Sequence, residues 1–523
     1  MEQKRAWEYA REIIEREKPF PERAGRVSWD EVIRDGVRDL DNMKYVWGGN
    51  VTESLMPLLF IAMYIQEYGN LGYDVSKAEA MIEEGLELNR TKQDIALYRH
   101  TCRLYRELYH SPVIPGHRHF SYKEYTTFEQ YEAAVEFPGE VKPPHLRSAA
   151  GEVGPAGEGE LPWSREELFD KIYAGWLSQV CAGAVGTAVE GYHTKKLEEV
   201  YGWVDRYIKD PEMYNDDLTF ELAFLETFIR KGYDLTAADV AEDWAARLPF
   251  AFTAEGIALK NIKNGLYPPE SATFHNPFYE LIGAQMRGGI CGMVAPGNPR
   301  LAAKLAWEDG SVSHYNNGVL GEIFNAVMVS MAFVESDVKE ICRKAIALMP
   351  EDSEYRSVVD YAWNACETYG NWRDAWLDCD EKYKEYCWIH AYPNACAEVV
   401  ALYFCENDYD KLVSLIAMCG LDVDCNAAQV ANILAVVKGS SCISEKWTEP
   451  IGTYMETYVR GMEIVKFKVL TEKTVDAIYR AREGLLRIRS AESKESPLCI
   501  RSVESEERPL RIRSAESEEG NRE

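Results

Sequence analysis

The sequence predicts an all-α protein, and three observations carry that prediction. Apolar residues recur at three- and four-residue spacing through most of the 523-residue chain, as in VTESLMPLLFIAMYIQEYG and LTFELAFLETFIRKG. From about residue 163 to 480 no run of alternating apolar and polar residues is present that could build a sheet. Several segments, among them GVLGEIFNAVMVSMAF and NAAQVANILAVVKG, are apolar nearly all round, which places them in the middle of a helical bundle.

Taken in order, residues 1–137 read as an additional N-terminal helical domain with no catalytic pattern. His117 and His119 form an HxH there, but no third ligand accompanies them. Residues 138–162 are dense in Pro and Gly and poor in large apolar side chains, the composition of a linker that proteases should cut, leaving a stable fragment that begins near Trp163. Ser164 with Glu167 three positions on is a capping-box pattern that starts the main helical unit, residues 163–485. Residues 486–523 repeat a twelve-residue unit (LRIRSAESKESP, LCIRSVESEERP, LRIRSAESEEGN) with two large apolar residues each. Such a unit buries too little surface to offset its ordering entropy, so disorder is expected and deletion should change little.

The formal net charge of −28 argues against nucleic acid as a partner, because an acidic surface repels phosphates. It leaves room for a small anionic ligand, since bound cations reverse the local sign. No apolar run approaches the roughly 20 residues that span a bilayer, and the amphipathic N-terminus lacks an apolar signal core, so a cytoplasmic protein is expected. The 13 cysteines include no CxxC pair and sit mostly in apolar segments, as reduced, buried thiols do.

Two acidic clusters stand out: Asn215-Asp216-Asp217-Leu218-Thr219 and Asp422-Val423-Asp424-Cys425, each at the head of an apolar helix. Asn and Asp are good N-caps, and acids in a first turn complement the helix dipole, so capping accounts for either cluster alone. Taken together they suggest more. The second helix has almost no polar face, and the nearest following bases are Arg230 and Lys438. Buried carboxylates without a base need another source of positive charge, and hard oxygen donors suit magnesium or manganese better than zinc.

These clusters resemble two motifs of the ADP-ribosylglycohydrolase family, a Thr-Asp-Asp-Thr-like element and a Gly-x-Asp-x-Asp-Thr-x-Ala-like element, the latter matched by Gly420 to Ala428. A third family element, a glycine-rich helix ending in an acid, is similar to Gly175-Trp176-Leu177, Gly183-Ala184-Val185-Gly186 and Val189-Glu190-Gly191. The stretches Gly283 to Arg287, Val294 to Pro299, Ser313 to Gly318 and His390 to Ala395 also resemble the family, and the order of all these elements matches over roughly residues 165–445. Asn215 and Cys425 stand where the family usually has threonines, and Ala184 where it often has an Asp.

The resemblance implies a compact all-α fold in which the aspartate motifs meet at a centre for two Mg2+ ions, with Mn2+ as the alternative. By position, Asn215, Asp216, Asp217, Asp422, Asp424 and Cys425 would be the metal ligands. Glu190, Asp216 and Asp217 are the candidates for proton transfer, and Arg287, His314, Asn317 and His390 for substrate binding, with a structural salt bridge for Arg287 and a hydrogen-bonded core role for His314 and His390 as the alternatives. The glycines at 288, 289 and 292 could let backbone approach a phosphate. The implied activity is magnesium-dependent hydrolysis of an N- or O-glycosidic bond in an ADP-ribosylated protein or an ADP-ribose-like small molecule. The competing reading is a protein of the same fold that binds ADP-ribose without cleaving it, or that has a structural, crystallin-like role.

Overall fold

The structure is a computed structural model that describes residues 3–22, 45–51, 53–138, 161–211 and 216–492, with side chains to residue 484. It is all-α. Among the described residues the only strands form two short antiparallel ribbons, Gly49–Asn50 with Pro57–Leu58 and Tyr454–Glu456 with Ile464–Lys466.

The main helical unit opens as the capping box requires. The Ser164 hydroxyl accepts from the Glu167 N–H at 3.2 Å, and the Glu167 carboxylate accepts from the Ser164 N–H at 2.8 Å. The helix Arg165–Gly186 that follows crosses the helix Val423–Lys438 at the centre of the molecule. Gly186 makes that crossing close, because a Cβ there would collide with the main chain of Asp424. The helices apolar all round, Asn317–Ala332, Ala391–Phe404 and Val423–Lys438, are the buried ones, as their sequences predict. Gly288 and Gly292, considered above for phosphate, have a packing role. A Cβ on either would meet the carbonyl of Glu322 or Ala326, at 2.5 Å in each case, so these glycines let the short helix Gly288–Met293 lie against Asn317–Ala332.

The N-terminal helices Ala6–Arg16 and Phe60–Asn70 pack directly against this bundle, and together with Ile82–Arg90 and Asp94–Tyr109 they share one apolar core with it. Phe278 receives the rings of Phe60 and Tyr64 at 5.3 and 5.2 Å. Tyr131 stacks on Trp307 at 6.3 Å and donates to the Leu348 carbonyl at 3.0 Å. The expected linker falls almost wholly on residues 139–160, outside the described residues. The repeat also lies outside them beyond residue 492, where the helix Phe467–Glu492 ends. Every described cysteine is unbridged, and all but Cys102 and Cys442 are buried. Among the described residues no helix is long and apolar enough to cross a membrane.

Candidate metal centre

The centre is assembled by a short main-chain zipper. After the helix Arg165–Gly186 the chain turns through Glu190 and Gly191, the latter in the left-handed region at φ 82°. Residues 191–194 then run antiparallel to 419–421. Gly191 N–H donates to the Leu421 carbonyl at 2.8 Å, Leu421 N–H donates to the Tyr192 carbonyl at 3.1 Å, and His193 bridges Gly420. Only glycine fits at 420, where a Cβ would collide with the Tyr192 carbonyl. Leu421 is held at φ 64°, a conformation that costs a branched side chain on the order of 1 kcal/mol or more. The strained turn delivers Asp422 to the head of the helix Val423–Lys438, close to Glu190.

Asp422 occupies the N-cap position, yet its side chain makes no capping hydrogen bond. Its Oδ1 and the Oδ1 of Asp424 are buried without a partner. Ligand atoms of Glu190, Asp422 and Asp424 lie within 4.8 Å of one another, as do those of Asp217, Asp424 and Cys425, so Asp424 is common to two adjoining sets. Asp216 and Asp217 enter from the first turn of the helix Asp216–Lys231. Among the described residues no Lys or Arg pairs with Glu190, Asp422 or Asp424.

The electrostatic strain is large. Burial pushes Asp422 up to about 7, and Asp217 and Asp216 add to it. Burial pushes Asp216 up to about 6. Glu190 and Asp424 are held well above the usual carboxylate range, first by burial and then by neighbouring acids. The same two causes hold the Cys425 thiol well above its ordinary value. Orphaned oxygens converging without a base fit divalent cations: four aspartates and Glu190 are hard donors, and Cys425 adds one softer sulfur.

Residues 164–482, more than half of the chain, match the family described as ADP-ribosylglycohydrolase. The chain belongs to the ADP-ribosylglycohydrolase family. Among solved structures it is similar to one described as an ADP-ribosylglycohydrolase-related protein complex, at 16% identity and a TM-score of 0.42, over 61% of this chain and 99% of that one. No curated protein matches.

Of the residues expected at an ADP-ribosylglycohydrolase site, Asn215 lies outside the described residues. Arg287, expected to meet a phosphate, is fully buried and already engaged. It donates to Asp309 at 2.5 Å, Glu255 at 3.2 Å, Ser313 at 3.1 Å and the Gly283 carbonyl at 2.5 Å, with Glu322 at 3.8 Å. His314 is buried with Nδ1 on the Ser313 hydroxyl at 2.8 Å, and burial beside Arg287 keeps it neutral. Asn317 is held between Glu280, to which it donates at 2.9 Å, and the Tyr355 N–H, from which it accepts at 3.1 Å. His390 caps the helix Ala391–Phe404 through Nδ1, and its Nε2 lies 3.6 Å from Glu67.

Glu67 and Glu280 are buried acids beside His390 and Asn317 that the sequence motifs do not single out. Burial pushes them up to about 7 and about 8 respectively. Glu67 carried a signal: it is an acid near the end of the otherwise apolar segment LLFIAMYIQEYG. Glu280 carried none.

Proposed function

We propose that this ADP-ribosylglycohydrolase-family protein is a metal-dependent hydrolase that cleaves a glycosidic bond of ADP-ribose or a related ribosylated substrate. The observation that carries the reading is Asp422: it sits where a helix cap belongs, makes no cap bond, and buries an unpartnered oxygen among other acids. A capping role would satisfy that oxygen; a cation-binding role requires it to be open.

Asp216, Asp217, Asp422, Asp424 and Cys425 would hold two magnesium ions, or manganese in their place, with Glu190 at the edge of the set. When bound, the ions supply positive charge against which ribose hydroxyls and a water can be ordered and polarised. The chain's own contribution is placement and proton transfer. Glu190 is the one member of its set that is not fully buried, so a water can reach it. Burial and the neighbouring acids hold its carboxyl well above the usual range, so the charge of bound cations would be needed to ionise it; as a carboxylate it would then accept the proton of that water as the bond to the anomeric carbon forms. The leaving group departs with the electrons of the glycosidic bond, and the proton on Glu190 is available to it or to solvent.

His314 and His390 each keep a buried Nε2 without a hydrogen-bond partner and are assigned to the substrate side, while Asn317 is already held between Glu280 and the Tyr355 N–H. Arg287 is assigned to the fold, because its donors are spent on internal acceptors. The substrate is an ADP-ribosylated protein or a free ADP-ribose-like molecule. A screen of ADP-ribosyl substrates with magnesium, followed by product release, tests the proposal. Wild-type turnover that disappears in Glu190→Gln supports it. Tight ADP-ribose binding without any turnover would favour a binder instead.

A further inference from the structure

The N-terminal helices lie outside the family match, yet two of their contacts fall on the zipper that presents Glu190 and Asp422. The first is a largely buried Arg–Asp–His triad. Arg11, from the helix Ala6–Arg16, donates to Asp380 in bidentate fashion at 2.8 and 2.6 Å. Asp380 is also hydrogen-bonded to His193 Nε2 at 3.0 Å, and these partners hold its carboxyl well below the usual range against the opposing pull of burial. His193 Nδ1 accepts from the Lys195 N–H, so Nε2 carries the proton and donates to Asp380. His193 is the residue whose main chain bridges Gly420, two positions before Asp422. The second contact is the turn at residues 53–56. The Tyr192 hydroxyl donates to the Ser54 carbonyl at 3.0 Å, and Met56 fills the space beside Gly191, where a Cβ would meet it at 2.8 Å.

We infer that the N-terminal segment is a working part of the metal centre, with Arg11 as a positioning residue that acts through Asp380 and His193 to fix the zipper carrying Glu190 and Asp422. The inference rests on the proposed cation-binding role of that centre. The physical argument is one of orientation. The zipper contains a left-handed Leu421 that will relax unless its flanks are pinned, and relaxation moves Asp422 away from Glu190 and Asp424. A largely buried Arg–Asp–His triad is a poor source of net stability compared with apolar packing, but its directional bonds set a unique geometry. A partner hydrogen-bonded directly to a metal ligand typically contributes about 10–100-fold to metal affinity; Arg11 reaches the ligands only through Asp380, His193 and the main chain at Gly420, so the low end of that range is the upper bound for it.

The test is a manganese titration of the full chain, following free Mn2+ by electron paramagnetic resonance, with thermal melts in chelator to confirm folding. Arg11→Ala is expected to bind Mn2+ measurably more weakly than wild type, by up to about tenfold. Arg11→Lys, which keeps the charge and one bond to Asp380, should recover part of the loss. Arg5→Ala, which breaks a contact to Glu79 within the N-terminal segment, should leave affinity unchanged. Should Arg11→Ala fail to fold, Tyr192→Phe removes only the bond to the Ser54 carbonyl and is expected to weaken Mn2+ binding measurably. Wild-type affinity in a folded Arg11→Ala or Tyr192→Phe variant would overturn the inference and leave the cation centre standing. Absence of Mn2+ binding by the wild type itself would overturn both.

Discussion

Replacing Arg287 by Met separates a residue of the fold from a residue of the ligand site. The guanidinium sits at zero exposure and makes five hydrogen bonds, to the Asp309 carboxylate and carbonyl, Glu255, the Gly283 carbonyl and Ser313. Methionine matches much of its volume but returns none of the bonds. Each buried acceptor left unpaired costs about 1–3 kcal/mol, and breaking a buried ion pair from one side costs roughly 3–5 kcal/mol. Part of that is recovered by proton uptake, since burial already pushes Glu255 up to about 7 and holds Glu322 well above its usual range. A net loss of about 3 kcal/mol is therefore expected. Urea unfolding in chelator at pH 7, with no ligand present, reads it as a lower midpoint. The double variant Arg287→Met/Asp309→Asn should regain part of the loss, because it removes the stranded charge as well. A wild-type midpoint for Arg287→Met, combined with lost affinity for ADP-ribose, would refute the reasoning and return Arg287 to the ligand.

Three further outcomes follow from the same structure. Glu398 is buried, accepts from Gln285 at 3.0 Å and Asn325 at 3.1 Å, and is pushed by burial from about 4.5 up to about 8. With the folded value above the unfolded one, its favourable contribution is complete below pH 4.5 and is lost as pH rises through 8. Glu398→Gln, which mimics the protonated acid, should match wild type at pH 4 and exceed it by at least about 1 kcal/mol at pH 9 in urea melts. Cys425 predicts a sulfur-to-metal charge-transfer absorption when Co2+ is added, absent in Cys425→Thr, and tighter Mg2+ binding by that variant. Limited proteolysis within residues 138–162 should nick the chain without releasing either part, because the Phe278 and Trp307 contacts span the cut; the two pieces should co-elute on gel filtration.

The sequence made the helices legible where local rules decide. The Ser164 capping box forms as its spacing requires, and the segments apolar all round are the buried ones. The aspartate clusters were legible as candidates because an acidic pair at the head of an apolar helix conflicts with burial. What periodicity does not encode is the identity of long-range partners. Arg11 and Asp380 are 369 positions apart, and neither lies in a recognisable motif. For Arg287 the sequence leaves a phosphate partner and a structural salt bridge equally open, because its three acids, Glu255, Asp309 and Glu322, are spread over different helices. The glycines at 288 and 292 read as open backbone for the same reason, since the facing helix was not visible in the local pattern.

The central claim is that Asp217 and Asp422 hold cations rather than cap helices, and thermal melts test it most directly. Wild type, Asp217→Ala and Asp422→Ala would each be melted in chelator and in millimolar magnesium. Wild type should gain stability with magnesium, because metal binding to the folded state adds to its folding free energy. Both variants should show no gain, and in chelator they should melt at or above the wild-type temperature, since removing one of several crowded carboxylates relieves repulsion. A helix cap behaves otherwise, costing about 0.5–2 kcal/mol whether or not magnesium is present. Equal destabilisation of both variants in the two buffers would contradict the account.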